Sequence, residues 1–190
     1  MPRLLVACER SGVVRDAFAR RGWDSWSCDT EATEAPGQHI QDNVLAHLAD
    51  GWDMMIAHPP CRYLSQAHPQ HWRDATKEVQ EASIFAMKLW QAPILKIALE
   101  NPLGLLWRYI GRPTCQIQPW WFGDPYTKRT CLWLRGLPPL FQLVGYGGIR
   151  YIPPGVKKWT ECKRSPDGRA RTFPGVAQAM AQQWGTDTTP

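Results

Sequence analysis

The chain has 190 residues, 44% of them hydrophobic and 21% charged, which suits one globular core and excludes a disordered or fibrous protein. Twenty-two Lys and Arg against 17 Asp and Glu leave a net charge of +5, a mild basic bias that suits an anionic partner such as nucleic acid. The longest apolar runs, residues 4–8 and Met54–Ala57, fall far short of the ~20 residues a membrane span needs.

Strand and helix patterns alternate along the chain. Residues 4–8 read as a short buried strand. Residues 12–21 then carry Val13, Val14, Ala17 and Phe18 at helical spacing, with Gly22 closing the helix. Residues 25–28 form a second strand ending at Asp29, and His39–Gln41 a weak third, followed by a short helix over 43–48. Met54–Ala57 is a fourth strand that stops against His58-Pro59-Pro60-Cys61. From 74 to 91 the positions Val79, Ala82, Phe85, Ala86, Leu89 and Trp90 recur at three and four, predicting an amphipathic helix with Asp74 as N-cap. A fifth strand over 94–99 runs into Glu100-Asn101-Pro102, a short helix covers 103–110, and 115–118 and 130–134 are further strands. Pro174–Trp184 closes the chain as an amphipathic helix. This alternation predicts an α/β fold built on a doubly wound, mostly parallel sheet, in which ligands bind beyond the carboxyl ends of the strands.

Residues 135–172 differ in texture. They hold Pro138-Pro139, Gly147-Gly148 and Pro153-Pro154-Gly155, then Lys157, Lys158, Lys163, Arg164, Arg169 and Arg171 among aromatic residues. They read as a long functional surface excursion from a single domain spanning 1–190. None of the six cysteines forms a CxxC pair and no His is spaced to complete a zinc finger, so no metal site is expected. The apolar stretch after Arg3 stops at Glu9 and Arg10, which argues against a secretory signal and for reduced thiols in the cytoplasm. Eleven Trp outnumber 5 Phe and 5 Tyr together, as packing residues or as stacking surfaces for bases.

The polar clusters fall at the predicted strand ends. Cys61, beyond two prolines, is presented on a stiff backbone, and a thiolate there is a covalent nucleophile if His58 or Arg62 lowers its pKa. Glu100 ends the next strand, as a cap for the following helix or as an acid that holds a proton against a ring nitrogen. Asp29 and Asp42 read either as loop acids and caps or as partners of a nucleoside.

In this order, Ala7-Cys8-Glu9-Arg10-Ser11-Gly12, Ser27-Cys28-Asp29, His39-Ile40-Gln41-Asp42, Pro59-Pro60-Cys61, Leu99-Glu100-Asn101-Pro102 and Pro125-Tyr126-Thr127-Lys128-Arg129 resemble the motifs of the cytosine-C5 DNA methyltransferase family. The resemblance is greater to its small phage- and prophage-type members, and it continues in Thr172-Phe173-Pro174-Gly175. It implies a Rossmann-like methyltransferase fold and S-adenosylmethionine as cofactor. Cys61 would attack C6 of cytosine, Glu100 would contact N3 and the exocyclic amine, and Arg129 would complete the catalytic set. Cys8, Glu9, Ser11, Gly12, Asp29, Asp42 and Pro59 would surround the cofactor, with Asp29 on the ribose side and Asp42 on the adenine side.

Lys128, Lys157, Lys158, Lys163, Arg164 and Arg169 would contact DNA. Glu9 and Ser11 stand where the family has glycines, and 135–172 is too short for the family's target-recognition domain. The resulting expectation is DNA methylation with little intrinsic sequence specificity, with a protein partner supplying target recognition. The alternatives are C5 modification of a pyrimidine mononucleotide, transfer of another group, and a non-catalytic nucleic-acid-binding protein derived from such an enzyme.

Overall fold

Near-continuous apolar runs such as Leu4-Leu5-Val6-Ala7 and Met54-Met55-Ile56-Ala57, every residue fully buried, are what parallel strands covered on both faces require. The computed structural model describes residues 1–66, 76–142, 152–161 and 171–186. Its main sheet has seven strands: β1 (Arg3–Ala7), β2 (Asp24–Asp29), β3 (His39–Gln41), β4 (Met54–Ala57), β5 (Lys96–Pro102), β6 (Cys115–Ile117) and β8 (Thr130–Arg135), in the order β3-β2-β1-β4-β5-β8-β6. The first five run parallel, and β8 lies antiparallel between β5 and β6. The chain winds outward from β1 in both directions, so the strand order reverses between β1 and β4. This is the doubly wound α/β fold expected.

Alternation along each strand splits the core in two. Leu4, Val6, Met54 and Ile56 pack with Val14 and Phe18 of α1 (Val13–Ala19) and Met180 and Trp184 of α4 (Pro174–Trp184). Leu5, Ala7, Met55 and Ala57 pack on the other face with Val79, Ala86 and Leu89 of α2 (Lys77–Trp90). Helix α2 starts at Lys77, where the Thr76 hydroxyl accepts from Val79 N at 3.4 Å; Asp74 lies outside the described residues. The helix expected over 103–110 shrinks to one turn, α3 (Trp107–Ile110). That over 43–48 shrinks to a single 3-10 turn, Val44–Ala46.

The 135–172 segment is not surface throughout. Leu140 is buried, Trp184 Nε1 donates to Pro138 O at 2.9 Å, and Gln183 holds both N–H and C=O of Phe141. Further on, β9 (Lys157–Lys158) pairs in parallel with β7 (Tyr126–Thr127).

One buried cation ties the loop after β2 to α1. Arg15, 1% exposed, donates to Asp16, Ser27 Oγ, Thr33 Oγ1 and the carbonyls of Ala35 and Pro36. Removing it takes the guanidinium from Pro36 O and leaves Ala35 O with the Thr33 hydroxyl as its donor. Arg15→Met should lower stability by about 3 kcal/mol, read as a lower urea midpoint at unchanged m.

Candidate active site

Strand β4 ends with Ala57 opposite Leu99 of β5, and the residues that follow on each strand continue the pairing through side chains. His58 Nδ1 lies 3.1 Å from Glu100 Oε2, and buried Asn101 donates its Nδ2 to Pro59 O at 3.0 Å. The Glu-Asn and His-Pro-Pro segments thereby fix each other. Cys61 O accepts from Leu64 N and Ser65 N, which turns the chain back against the β5–α3 connection. The geometry therefore presents Cys61 and Glu100 from one rigid edge.

Burial opposes a charge on Glu100, but the His58 hydrogen bond and the charges of Lys128 and His58 outweigh it and hold the carboxyl below its usual range. The Cys61 thiol is pushed up by burial and by the Glu100 charge, with Lys128 pulling the other way. Activation of Cys61 by His58 or Arg62 is thus corrected. His58 turns to Glu100, and the Arg62 guanidinium lies over the Tyr63 ring at 5.7 Å. Lys128, assigned from sequence to DNA contact, is the cation whose charge reaches both Cys61 and Glu100. Arg129, assigned to catalysis, is exposed, and its charge falls on Cys131, whose thiol burial raises to about 11.

A cavity opens where β1, β2 and β4 end, lined by Cys8, Glu9, Arg10, Ser11, Asp29, Glu31, His58, Arg171 and Thr172. Four expected cofactor residues meet there. Cys8 turns the chain at φ 60, with Cys8 N and Glu9 N both donating to Cys28 O. Glu9 is buried, and its carboxylate accepts from Val14 N at 2.8 Å, Arg15 N at 3.3 Å and Ser11 Oγ at 3.1 Å. It stands where glycines were expected because it caps α1 with its own charge. Asp29 Oδ1 accepts from Glu31 N at 3.0 Å.

Three residues assigned to the cofactor do other work. Gly12 begins α1 at φ 74, and a Cβ there would meet the Arg15 guanidinium at 2.4 Å. Pro59 is buried, with its carbonyl on Asn101. Asp42 is exposed, accepts from Asn43 N and faces His47 Nε2 at 3.0 Å, which lowers its pKa. None of the three lines the cavity.

The rim carries ion pairs that link distant segments: Arg10 with Glu31 and Glu34, and Arg171 with Glu34. Arg171 belongs to this network and not to a free basic run. No periodicity signals pairings between residues so far apart. The β7–β9 ladder sets Tyr126 opposite Lys157 and Thr127 opposite Lys158, so two exposed lysines stand beside Lys128 and Arg129. Lys163, Arg164 and Arg169 lie outside the described residues. Among the described residues Cys8, Cys28, Cys61, Cys115 and Cys131 are free thiols, no three side chains cluster as metal ligands, and no helix is long and apolar enough to cross a membrane.

No family model and no curated protein matches the chain. Among solved structures, it is similar to a DNA modification methyltransferase encoded within an E. coli prophage, at 13% identity over 70% of this chain and 46% of that one, TM-score 0.45. It is also similar to the Entamoeba histolytica methyltransferase EhMeth, at 12% identity over 73% and 54%, TM-score 0.47. A third likeness is to S. pombe Dnmt2, at 12% identity over 97% and 66%, TM-score 0.43. The chain spans about half the length of the first two. Likeness at this level assigns neither activity nor substrate, and the fold rests on the strand order itself.

Proposed function

We propose that the protein is an S-adenosylmethionine-dependent methyltransferase acting on C5 of cytosine in DNA through a covalent Cys61 adduct. The observation that carries the reading is that Cys61, beyond the end of β4, feels the charge of an ionised Glu100 in β5, which bonds to His58 of the cavity wall. The Cys61 Sγ bonds to C6 while Glu100 manages the proton at N3, which makes C5 nucleophilic. The C5 proton is then lost as the methyl group enters, and the Sγ–C6 bond breaks. The cofactor supplies an electrophilic methyl group. The polar cavity fits it, because Asp29 matches ribose hydroxyls and the buried His58 Nε2 has no partner among the described residues.

In this reading residues 1–190 form one methyltransferase-like domain. Exposed Lys157 and Lys158, with Lys128, hold phosphates, and a protein partner supplies most of the target recognition. A duplex target must be flipped out, at a few kcal/mol of unstacking. The raised Cys61 thiol favours one rival, a nucleic-acid-binding protein that does not turn over. Nucleoside mass spectrometry of DNA from expressing cells decides. Under the proposal 5-methylcytosine accumulates with the wild type and is absent with Cys61→Ser; equal levels in both refute it.

Two binding results should accompany that experiment. S-adenosylmethionine should raise Tm by linkage, and Asp29→Ala should shrink the shift more than Asp42→Ala, because Asp29 alone of the two lines the cavity. Affinity for DNA should fall steeply with salt. Replacing Lys157 and Lys158 together by Ala should reduce the slope of log K against log salt by about 2. A slope unchanged in the double variant would place the phosphates elsewhere.

A further inference from the structure

We infer that His58 is a positioning residue for Glu100 and the proton store behind it, its Nδ1 holding the carboxylate and passing on the proton that Glu100 delivers to N3 of the attacked cytosine. The inference rests on the C5-methylation reading. His58 is fixed from both sides: its backbone N–H donates to Ala7 O at 3.0 Å, and its ring lies 3.1 Å from Glu100 Oε2. The two side chains are only 11% and 16% exposed, so the pair has little freedom to separate.

The chemistry of the site leaves a proton unaccounted for without His58. Glu100 is held ionised, so at neutral pH it carries no proton of its own to give. The imidazole is the group bonded to it that can carry one. His58 also forms part of the cavity wall, and its Nε2 is buried without a partner among the described residues. A buried ring nitrogen in that state calls for a water or ligand contact, and such a contact reloads the ring.

Other charged groups surround the pair. Glu100 is faced by Lys128 as well as His58, and its own charge acts on Cys61 and Cys131. On the cavity side, Glu9, Arg10, Asp29, Glu31 and Arg171 share the wall with His58, together with the Cys8 thiol. In the step itself Cys61 releases its thiol proton to solvent, and the sulfur lone pair forms the Sγ–C6 bond. N3 takes a proton from Glu100, Glu100 takes one from the His58 imidazolium, and the neutral ring regains one from solvent. One proton leaves the thiol and one enters the base.

The test is the pH profile of covalent capture by an oligonucleotide containing 5-fluorocytosine, in the presence of S-adenosylmethionine. The wild-type rate should climb with pH and then level off, because the gain in thiolate is cancelled once the relay no longer has a proton to pass on. His58→Asn keeps an N–H for Glu100 but carries no titratable proton. Its capture should be slower on the order of 10²-fold and should keep climbing tenfold per pH unit toward the thiol pKa. His58→Gln should share that shape, so an unfolded Asn variant does not decide the matter. Wild-type capture with an unchanged profile in both variants overturns the relay and leaves the methylation reading standing. Absence of wild-type capture at every pH overturns both.

Discussion

Cys61→Ser is expected to reduce methyl transfer and capture by a 5-fluorocytosine oligonucleotide below detection, with Tm and DNA affinity unchanged. A serine hydroxyl is scarcely ionised near neutral pH, whereas a thiol is partly so. Fluorine at C5 cannot leave as a proton does, so an adduct once formed should survive denaturing electrophoresis. The same oligonucleotide separates the substrates: capture by free fluorinated nucleotide and not by DNA would preserve the thiolate chemistry and sink the DNA assignment. Methyl transfer that persists in Cys61→Ser would overturn the chemistry itself.

Glu100 should act on this cysteine in two opposite directions. Its negative charge, after burial, raises the thiol pKa. Glu100→Gln removes the charge, so alkylation of Cys61 by iodoacetamide, followed on its own peptide at pH 8, should quicken. Capture by 5-fluorocytosine should nonetheless slow severely, because the ring loses the group that stabilises it as C6 is attacked. Binding of DNA should stay near normal. A variant that slows both reactions would mean that Glu100 shapes the loop and does not serve the chemistry.

The parts of the fold written in continuous apolar runs were legible in the sequence, because a strand buried on both faces has to be apolar at every position. Met54–Ala57 and Pro174–Trp184 keep their expected bounds. Even the three-residue His39–Gln41, a weak third strand in the sequence, keeps its expected bounds. Strand β5 outran its expected end because β8 pairs along it as far as Pro102 opposite Thr130, a partner that no local pattern names. The two-residue strands β7 and β9 have no periodicity at all. Their pairing carries Lys157 and Lys158 to Lys128 across thirty residues of chain. Asp42 and Asn43 compete for the same cap, and only geometry shows that Asn43 Oδ1 accepts from Leu45 N. Glu9 looked like a departure from a glycine turn because residue type alone does not reveal which amides a carboxylate will meet.

Gly104 is the position where a single methyl group should do most damage to catalysis. A Cβ there would sit 1.8 Å from Leu64 O and 2.7 Å from Leu64 C, and these are backbone atoms that no rotamer change can move aside. The same carbonyl accepts from Leu105 N at 2.7 Å, and Gln66 N donates to Leu103 O at 3.0 Å. The turn that carries Cys61 is therefore docked on the β5–α3 connection through a contact that only glycine permits. Gly104→Ala must push the turn away, and a shift of about 1 Å at a reacting group can cost on the order of 10²-fold in rate. Stability should fall too, by about 2–4 kcal/mol, as overpacking and lost backbone hydrogen bonds add.

Gly185→Ala separates the two effects. Its Cβ would meet Ala181 O at 2.4 Å beyond the end of α4, so it should destabilise the fold without touching the Cys61 turn. At a temperature where both variants are folded, Gly185→Ala should capture 5-fluorocytosine at the wild-type rate while Gly104→Ala loses about two orders of magnitude. Equal capture by the two folded variants would mean that the turn tolerates displacement, and that the adduct does not depend on where Cys61 is held.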